Sequence, residues 1–119
     1  MSKRKAEQKN DMFIKSICLL VKDYDKTIEF YKKLSFVVKD DVTYGENKEK
    51  RWVTLKLPKQ EIVLSLGIVG ENDPNSKIVG KQAGDYPFCV INCDDIQSTY
   101  LDLMSKGSSC FFSQSNIFF

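Results

Sequence analysis

The sequence predicts an α+β fold made of two β-α-β-β-β modules, the second of them incomplete. Three observations carry this prediction. Short stretches of alternating apolar and polar residues read as half-buried strands. Two helical segments each follow a strand and open on an acidic residue suited to capping. A shift of 72 residues lays the first strand–acid–helix unit on the second, with Val21 on Cys93, Asp23 on Asp95, Ile28 on Tyr100 and Tyr31 on Leu103. A sheet covered by a helix on one face leaves its other face in need of a partner, which a second copy supplies. Two facing sheets then enclose a cleft for a ligand.

The elements follow in order. Residues 1–11 hold Lys3, Arg4, Lys5 and Lys9 against Glu7 and Asp11 and read as a solvated, disordered basic arm. The first module takes residues 12–66. Its strand at 14–21 places Ile17, Leu19 and Val21 on one face and Ser16, Cys18 and Leu20 on the other. Asp23 or Asp25 caps the helix that follows, Lys32 and Lys33 close it, and Ile28, Tyr31 and Leu34 form its buried stripe. A second strand at 36–42, a polar turn around Gly45, a third strand at 51–57 and a fourth at 61–66 complete the module. On the third strand Val53, Leu55 and Leu57 oppose Trp52, Thr54 and Lys56. Trp52 therefore lines the face away from the core, as a pocket wall or as an interface and packing residue.

Residues 67–86 are rich in glycine and polar side chains and form a connecting loop. Gly80-Lys81 within it does not continue as a phosphate loop, because Asn75 and Gln82 stand where glycine and Ser/Thr are required. Residues 87–119 form the partial second module. They supply a strand at 88–93, the caps Asp94 and Asp95, a helix at 96–106 with Ile96, Tyr100, Leu103 and Met104 inward, Gly107 at its end, and a strand opening at Cys110.

Composition excludes whole classes of function. With 119 residues, 42% hydrophobic and 29% charged, the chain is one ordinary domain rather than a disordered or disulfide-built one. The net charge of +2 arises in the arm, which leaves the body neutral and without a basic face for nucleic acid. The absence of histidine removes imidazole as base, shuttle or ligand. No apolar run has the length of a membrane span and the N-terminus carries no secretory signal, so a cytoplasmic protein without membrane contact is expected. Cys18, Cys89, Cys93 and Cys110 lack zinc-site spacing and are expected to be buried, reduced thiols. Asp40 and Asp41 close a strand and read as solvated.

The ordering resembles the vicinal oxygen chelate superfamily of glyoxalase I, bleomycin-resistance proteins, fosfomycin-resistance enzymes and extradiol dioxygenases. The likeness rests on Val21-Lys-Asp23, Phe30-Tyr31, Leu34 and Phe36, on residues 50–54, and on the second-module segment 88–107 with Asp94-Asp95-Ile96, Thr99-Tyr100, Leu103 and Gly107. The resemblance implies metal ligands on the first and last strands of each module. They fall on Ser16, on or beside Leu64, and on Phe88, while the fourth lies beyond Phe119. These residue types build no divalent site, so no metal and no cofactor is expected. A last strand is missing as well, and the tail reads as a natural truncation, an altered frame or a retained intron.

The function expected is a metal-free small-molecule binder of the bleomycin-resistance type, with a cleft of Ser16, Cys18, Trp52, Thr54, Leu64 and Phe88 and no catalytic residue. The alternatives are a metal-dependent lyase, isomerase or dioxygenase of the same superfamily, and a truncated fragment that associates without activity. The uncovered sheet face and an open second-module edge predict a homodimer.

Overall fold

The computed structural model describes residues 11–106, 111–113 and 116–118. The arm at 1–10, Gly107 and Cys110 lie outside the described residues. Strand β1 (Ser16–Val21) leads into helix α1 (Tyr24–Lys33), then β2 (Val37–Tyr44), β3 (Lys50–Lys56) and β4 (Val63–Ile68). A short 3-10 helix (Pro74–Ile78) interrupts the connection to β5 (Val90–Asn92) and helix α2 (Ile96–Ser105). Two three-residue strands follow, β6 (Phe111–Ser113) and β7 (Asn116–Phe118). Among the described residues, no helix is long and apolar enough to cross a membrane.

The α+β architecture is as the sequence predicts. The first sheet has the order β1-β4-β3-β2, with β1 parallel to β4 and the other pairs antiparallel. The return from β1 to β4 runs through α1 and a hairpin, which lets the helix lie on one face of the sheet. Asp23 is the N-cap of α1, and its carboxylate accepts from the Lys26 N–H at 3.0 Å. Asp95 caps α2 in the same way through Ser98 at 3.0 Å. Helix α1 ends in a Schellman turn: the Phe36 N–H reaches the Tyr31 carbonyl and the Ser35 N–H reaches that of Lys32, both at 3.0 Å. Ser35 takes φ +72°, and the rings of Tyr31 and Phe36 meet edge to face at 5.1 Å to close the turn.

The core collects Leu19, Val21, Ile28, Tyr31, Leu34, Phe36, Val53, Leu55, Leu64, Leu66 and Leu103. It therefore lies between α1 and the helix side of the first sheet, with α2 contributing through Leu103. One arginine ties the rim together. Arg51 meets Asp41 at 2.8 Å and Asp25 at 3.0 Å, and its guanidinium lies 5.3 Å from the Tyr24 ring. Gly45 opens the β2–β3 turn with φ +97°, where a Cβ would collide with the Glu49 carboxylate.

Several expectations are corrected. Strand β1 starts at Ser16, and Met12, Phe13 and Ile14 before it are exposed, because β4 pairs only from Val63 onward. Strand β4 lies two residues later than residues 61–66, which carries Gly67 into the sheet. On α2, Tyr100 and Met104 are exposed and Leu103 alone is fully buried, since it is the residue of this helix that joins the first-module core. Among the described residues the second sheet has three strands, not two, in the order β5-β7-β6, with residues 116–118 paired to both neighbours. Cys18 is exposed, while Cys89 and Cys93 are partly buried. The Cys18 side chain leaves the sheet on the face that α1 does not cover.

Candidate functional site

Register decides which side chains meet. Ile17 stands opposite Leu64 and Cys18 opposite Ser65; Leu55 stands opposite Leu64 and Thr54 opposite Ser65. On the third partner Thr54 pairs with Asp40. One row therefore crosses all four strands on the face away from α1, in the order Asp40, Thr54, Ser65, Cys18. Side chains alternate along a strand, so Ser16, Trp52 and Gly67 share this face with the row.

The row is hydrogen-bonded within itself. The Thr54 hydroxyl donates to Asp40 Oδ2 at 2.7 Å and accepts from the Asp40 N–H at 3.1 Å. The register of β2 on β3 shifts between Val38 and Asp40, so this N–H stands beside a bulge. Ser65 Oγ lies 3.9 Å from Cys18 Sγ. Thr54 and Ser65 are 1% and 3% exposed, so neither hydroxyl is open to a ligand, whereas Trp52 is 46% exposed beside them.

Of the predicted cleft residues, Ser16, Cys18, Trp52 and Thr54 are thus on one face. Leu64 is not. It faces the core, and the residues of β4 that share the face of Ser16 are Val63 and Ser65. Phe88 is not there either: it precedes β5 and packs with Leu19 and Tyr31 against the core side. The resemblance implies a position on or beside Leu64, and the register puts its neighbour Ser65 on the shared face; Phe88 lies before the strand that begins at Val90. The structure does not bring the six together.

A cavity opens where the sequence marks none. About 530 Å³ lies between the starts of β1 and β4, the 57–62 turn and β5. Ile17, Phe36, Leu57, Ile62 and Leu64 wall it from the first module, and Val90 and Ile91 from the second; Gln60 and Asn92 bring amide groups to it. Among the described residues its lining includes no charged side chain. Burial pushes the Cys89 thiol up from its ordinary value, so at neutral pH this wall residue is a neutral thiol, not a nucleophilic thiolate. Burial also raises the Tyr31 phenol beneath, with the Cys89 charge a lesser cause.

A metal fits neither place. Where the resemblance implies ligands, the face offers the hydroxyls of Ser16 and Ser65 and the side chain of Val63. The Asp40 carboxylate on that face is engaged by Thr54. Among the described residues, no three His, Cys, Asp or Glu side chains gather as a metal site. Two hydroxyls and a thiol are a poor set for a divalent ion.

Comparison with known proteins agrees with the architecture. The family model of the Glyoxalase/Bleomycin resistance protein/Dioxygenase superfamily matches residues 13–111. A protein of Shewanella frigidimarina (strain NCIMB 400), described only as uncharacterized, is 36% identical over 92 residues, which is 76% of this chain and 67% of that protein. The crystal structure of SMU.1112c superposes with a TM-score of 0.51 at 19% identity, over 92% of this chain and 91% of that one. At that identity the likeness concerns the fold.

Proposed function

The chain belongs to the glyoxalase/bleomycin resistance protein/dioxygenase superfamily, and from that premise we propose that it binds a small, uncharged and largely apolar molecule without a metal ion. One observation carries this reading, the cavity of about 530 Å³ between the two modules. Its volume falls within the roughly 300–1,000 Å³ of small-molecule sites, and its lining has their composition, an apolar wall with a few polar groups. The amides of Gln60 and Asn92 supply both a donor and an acceptor each. The uncharged lining gives an ionised ligand no partner for its charge, which disfavours carboxylates and amines. The face carrying Trp52 serves this role less well, because its buried hydroxyls are already paired.

Catalysis by a bound metal finds no support in the donor set, and no group in the cavity has the acidity of a nucleophile or base. The reading is therefore sequestration, not turnover. Ligand-observed NMR with naphthalen-1-ol and 1-naphthoate tests it. The neutral probe should bind and the carboxylate bind at least tenfold more weakly, and Ile62→Trp, which fills the cavity, should abolish binding in a folded protein. Equal binding of the naphthol to the Ile62→Trp variant, or preference for the anion, would refute the proposal.

A further inference from the structure

Strand β1 is an edge of the first sheet: it pairs with β4 on one side, and no described strand pairs with the other. Along a strand the backbone groups point alternately to the two sides. Val21 and Lys15 turn toward β4, where their carbonyls accept from the N–H groups of Val69 at 2.9 Å and Val63 at 3.1 Å. Cys18 and Leu20 therefore turn outward. An edge of this kind is a template for another strand unless something occupies it.

What occupies it is a side chain from far along the sequence. The Leu20 N–H donates to Gln82 Oε1 at 2.8 Å, and Gln82 Nε2 donates to the Cys18 carbonyl at 2.7 Å. One amide thus both donates and accepts across a single residue, Leu19. A residue of a neighbouring parallel strand makes the same pair of bonds, giving its N–H to the carbonyl before the opposing residue and taking the N–H after it. Gln82 is the chemical match for that role, since its side chain is itself a primary amide.

The segment that brings it there is a loose strap. Gly80 and Gly84 flank Gln82 with φ of +83° and +70°, and a Cβ on either would meet nothing within 4 Å. Consecutive turns shape it, with the Lys81 N–H on the Ile78 carbonyl at 2.8 Å and the Gly84 N–H on the Lys81 carbonyl at 2.9 Å. Lys81, Ala83, Asp85 and Tyr86 are exposed. Between the strap and Leu19, Tyr31 and Phe88 lies a void of about 130 Å³, so packing beneath it is incomplete.

We propose that Gln82 is an edge guard, a tethered stand-in for one strand residue that keeps the 79–86 strap on β1 and withholds the edge from pairing with a second copy of this chain. The guard is detachable, because two hydrogen bonds hold it and little apolar contact does. This inference is independent of the ligand proposed for the cavity, whose lining does not include Gln82.

Amide hydrogen exchange and sedimentation velocity of the full chain test it with Gln82→Ala, Gln82→Asn and Gln82→Glu. In Gln82→Ala the Leu20 amide should exchange about tenfold faster or more, while Val53 and Leu55 on the central strand keep their protection. The same variant should self-associate at concentrations where the parent chain does not gain mass. Gln82→Asn, one methylene short of the edge, should behave like the alanine variant. Gln82→Glu keeps an acceptor for Leu20 but presents a carboxylate to the Cys18 carbonyl, and should fall between. Unchanged Leu20 exchange in Gln82→Ala would overturn the proposal. So would faster exchange with no gain in self-association, which would leave the amide contact without a guarding role.

Discussion

Thr54→Val is a substitution whose cost follows from two distances. It removes one hydroxyl from a site 1% exposed and leaves the side-chain shape almost unchanged. Two hydrogen bonds go with it, the 2.7 Å bond to the Asp40 carboxylate and the 3.1 Å bond from the Asp40 N–H. A bond to a charged acceptor is worth about 1.5–3 kcal/mol and an ordinary one about 0.5–1.5 kcal/mol. The carboxylate is partly exposed and regains water, which returns part of the first term. The Asp40 N–H beside the bulge loses its threonine acceptor as well. The expected destabilisation is about 1.5–3 kcal/mol, which lowers the urea midpoint by about 1 M at a typical slope for a domain of this size. Thr54→Ser keeps the hydroxyl and loses one buried methyl, at a cost of about 1 kcal/mol. Urea titrations followed by circular dichroism rank the three proteins. A valine variant as stable as the parent, or more stable than the serine variant, would show that the hydroxyl does not pin the bulge.

Other expectations can be checked with the same instruments. Ser35→Gly should raise stability by about 0.5–1 kcal/mol, because Ser35 holds φ +72° at a helix end where glycine is free of the Cβ penalty; a lower midpoint would refute this. The hydrogen bond from Arg51 holds the Asp41 carboxyl below the usual carboxylate range. A group depressed in the folded state stabilises above its unfolded value, near 3.9, and loses that contribution as pH falls through its folded value. Arg51→Ala should therefore flatten the fall in stability below about pH 4, and an unchanged acid limb would contradict the assignment. Incubation with Zn²⁺, Ni²⁺ or Mn²⁺ followed by gel filtration and elemental analysis should leave well under one ion per chain. One tightly held ion, lost in Ser16→Ala, would overturn the metal-free reading.

The parts of the fold legible in the sequence are those decided locally. Asp23 and Asp95 announce their helices because a cap needs only a short acidic side chain and the first turn behind it. Ile28, Tyr31 and Leu34 follow the helical period, and all three are buried. The parity of β1 and β3 was readable because polar and apolar residues alternate there. In residues 61–66 the run Ile-Val-Leu-Ser-Leu alternates poorly, and its parity is set by the strand opposite. Pairing of Ser65 with both Cys18 and Thr54 fixed what the local pattern left ambiguous. Strands β6 and β7 are too short for any period to emerge. Gln82 carries no local mark either, since its partners are more than sixty positions away.

The cavity was illegible for a related reason: its wall comes from four separate stretches of chain that only the tertiary fold brings together. Trp52 turns this geometry into a measurement. It is the single tryptophan, it is 46% exposed, and it is not part of the cavity lining. It stands on the face opposite Leu64 and Leu55, whereas Leu64 is in the cavity wall. A ligand seated in the cavity is thus not in contact with the indole, which lies outside the lining, and saturation should leave its emission maximum unshifted while the protein's melting temperature rises. A ligand stacked on the Trp52 face would instead exclude water from the ring and move the emission to shorter wavelength. Titration of the naphthol at an excitation wavelength selective for the indole, beside a melting curve on the same sample, distinguishes the two faces. A blue shift that saturates together with the stabilisation would place the ligand on the Trp52 face and refute the cavity as its site.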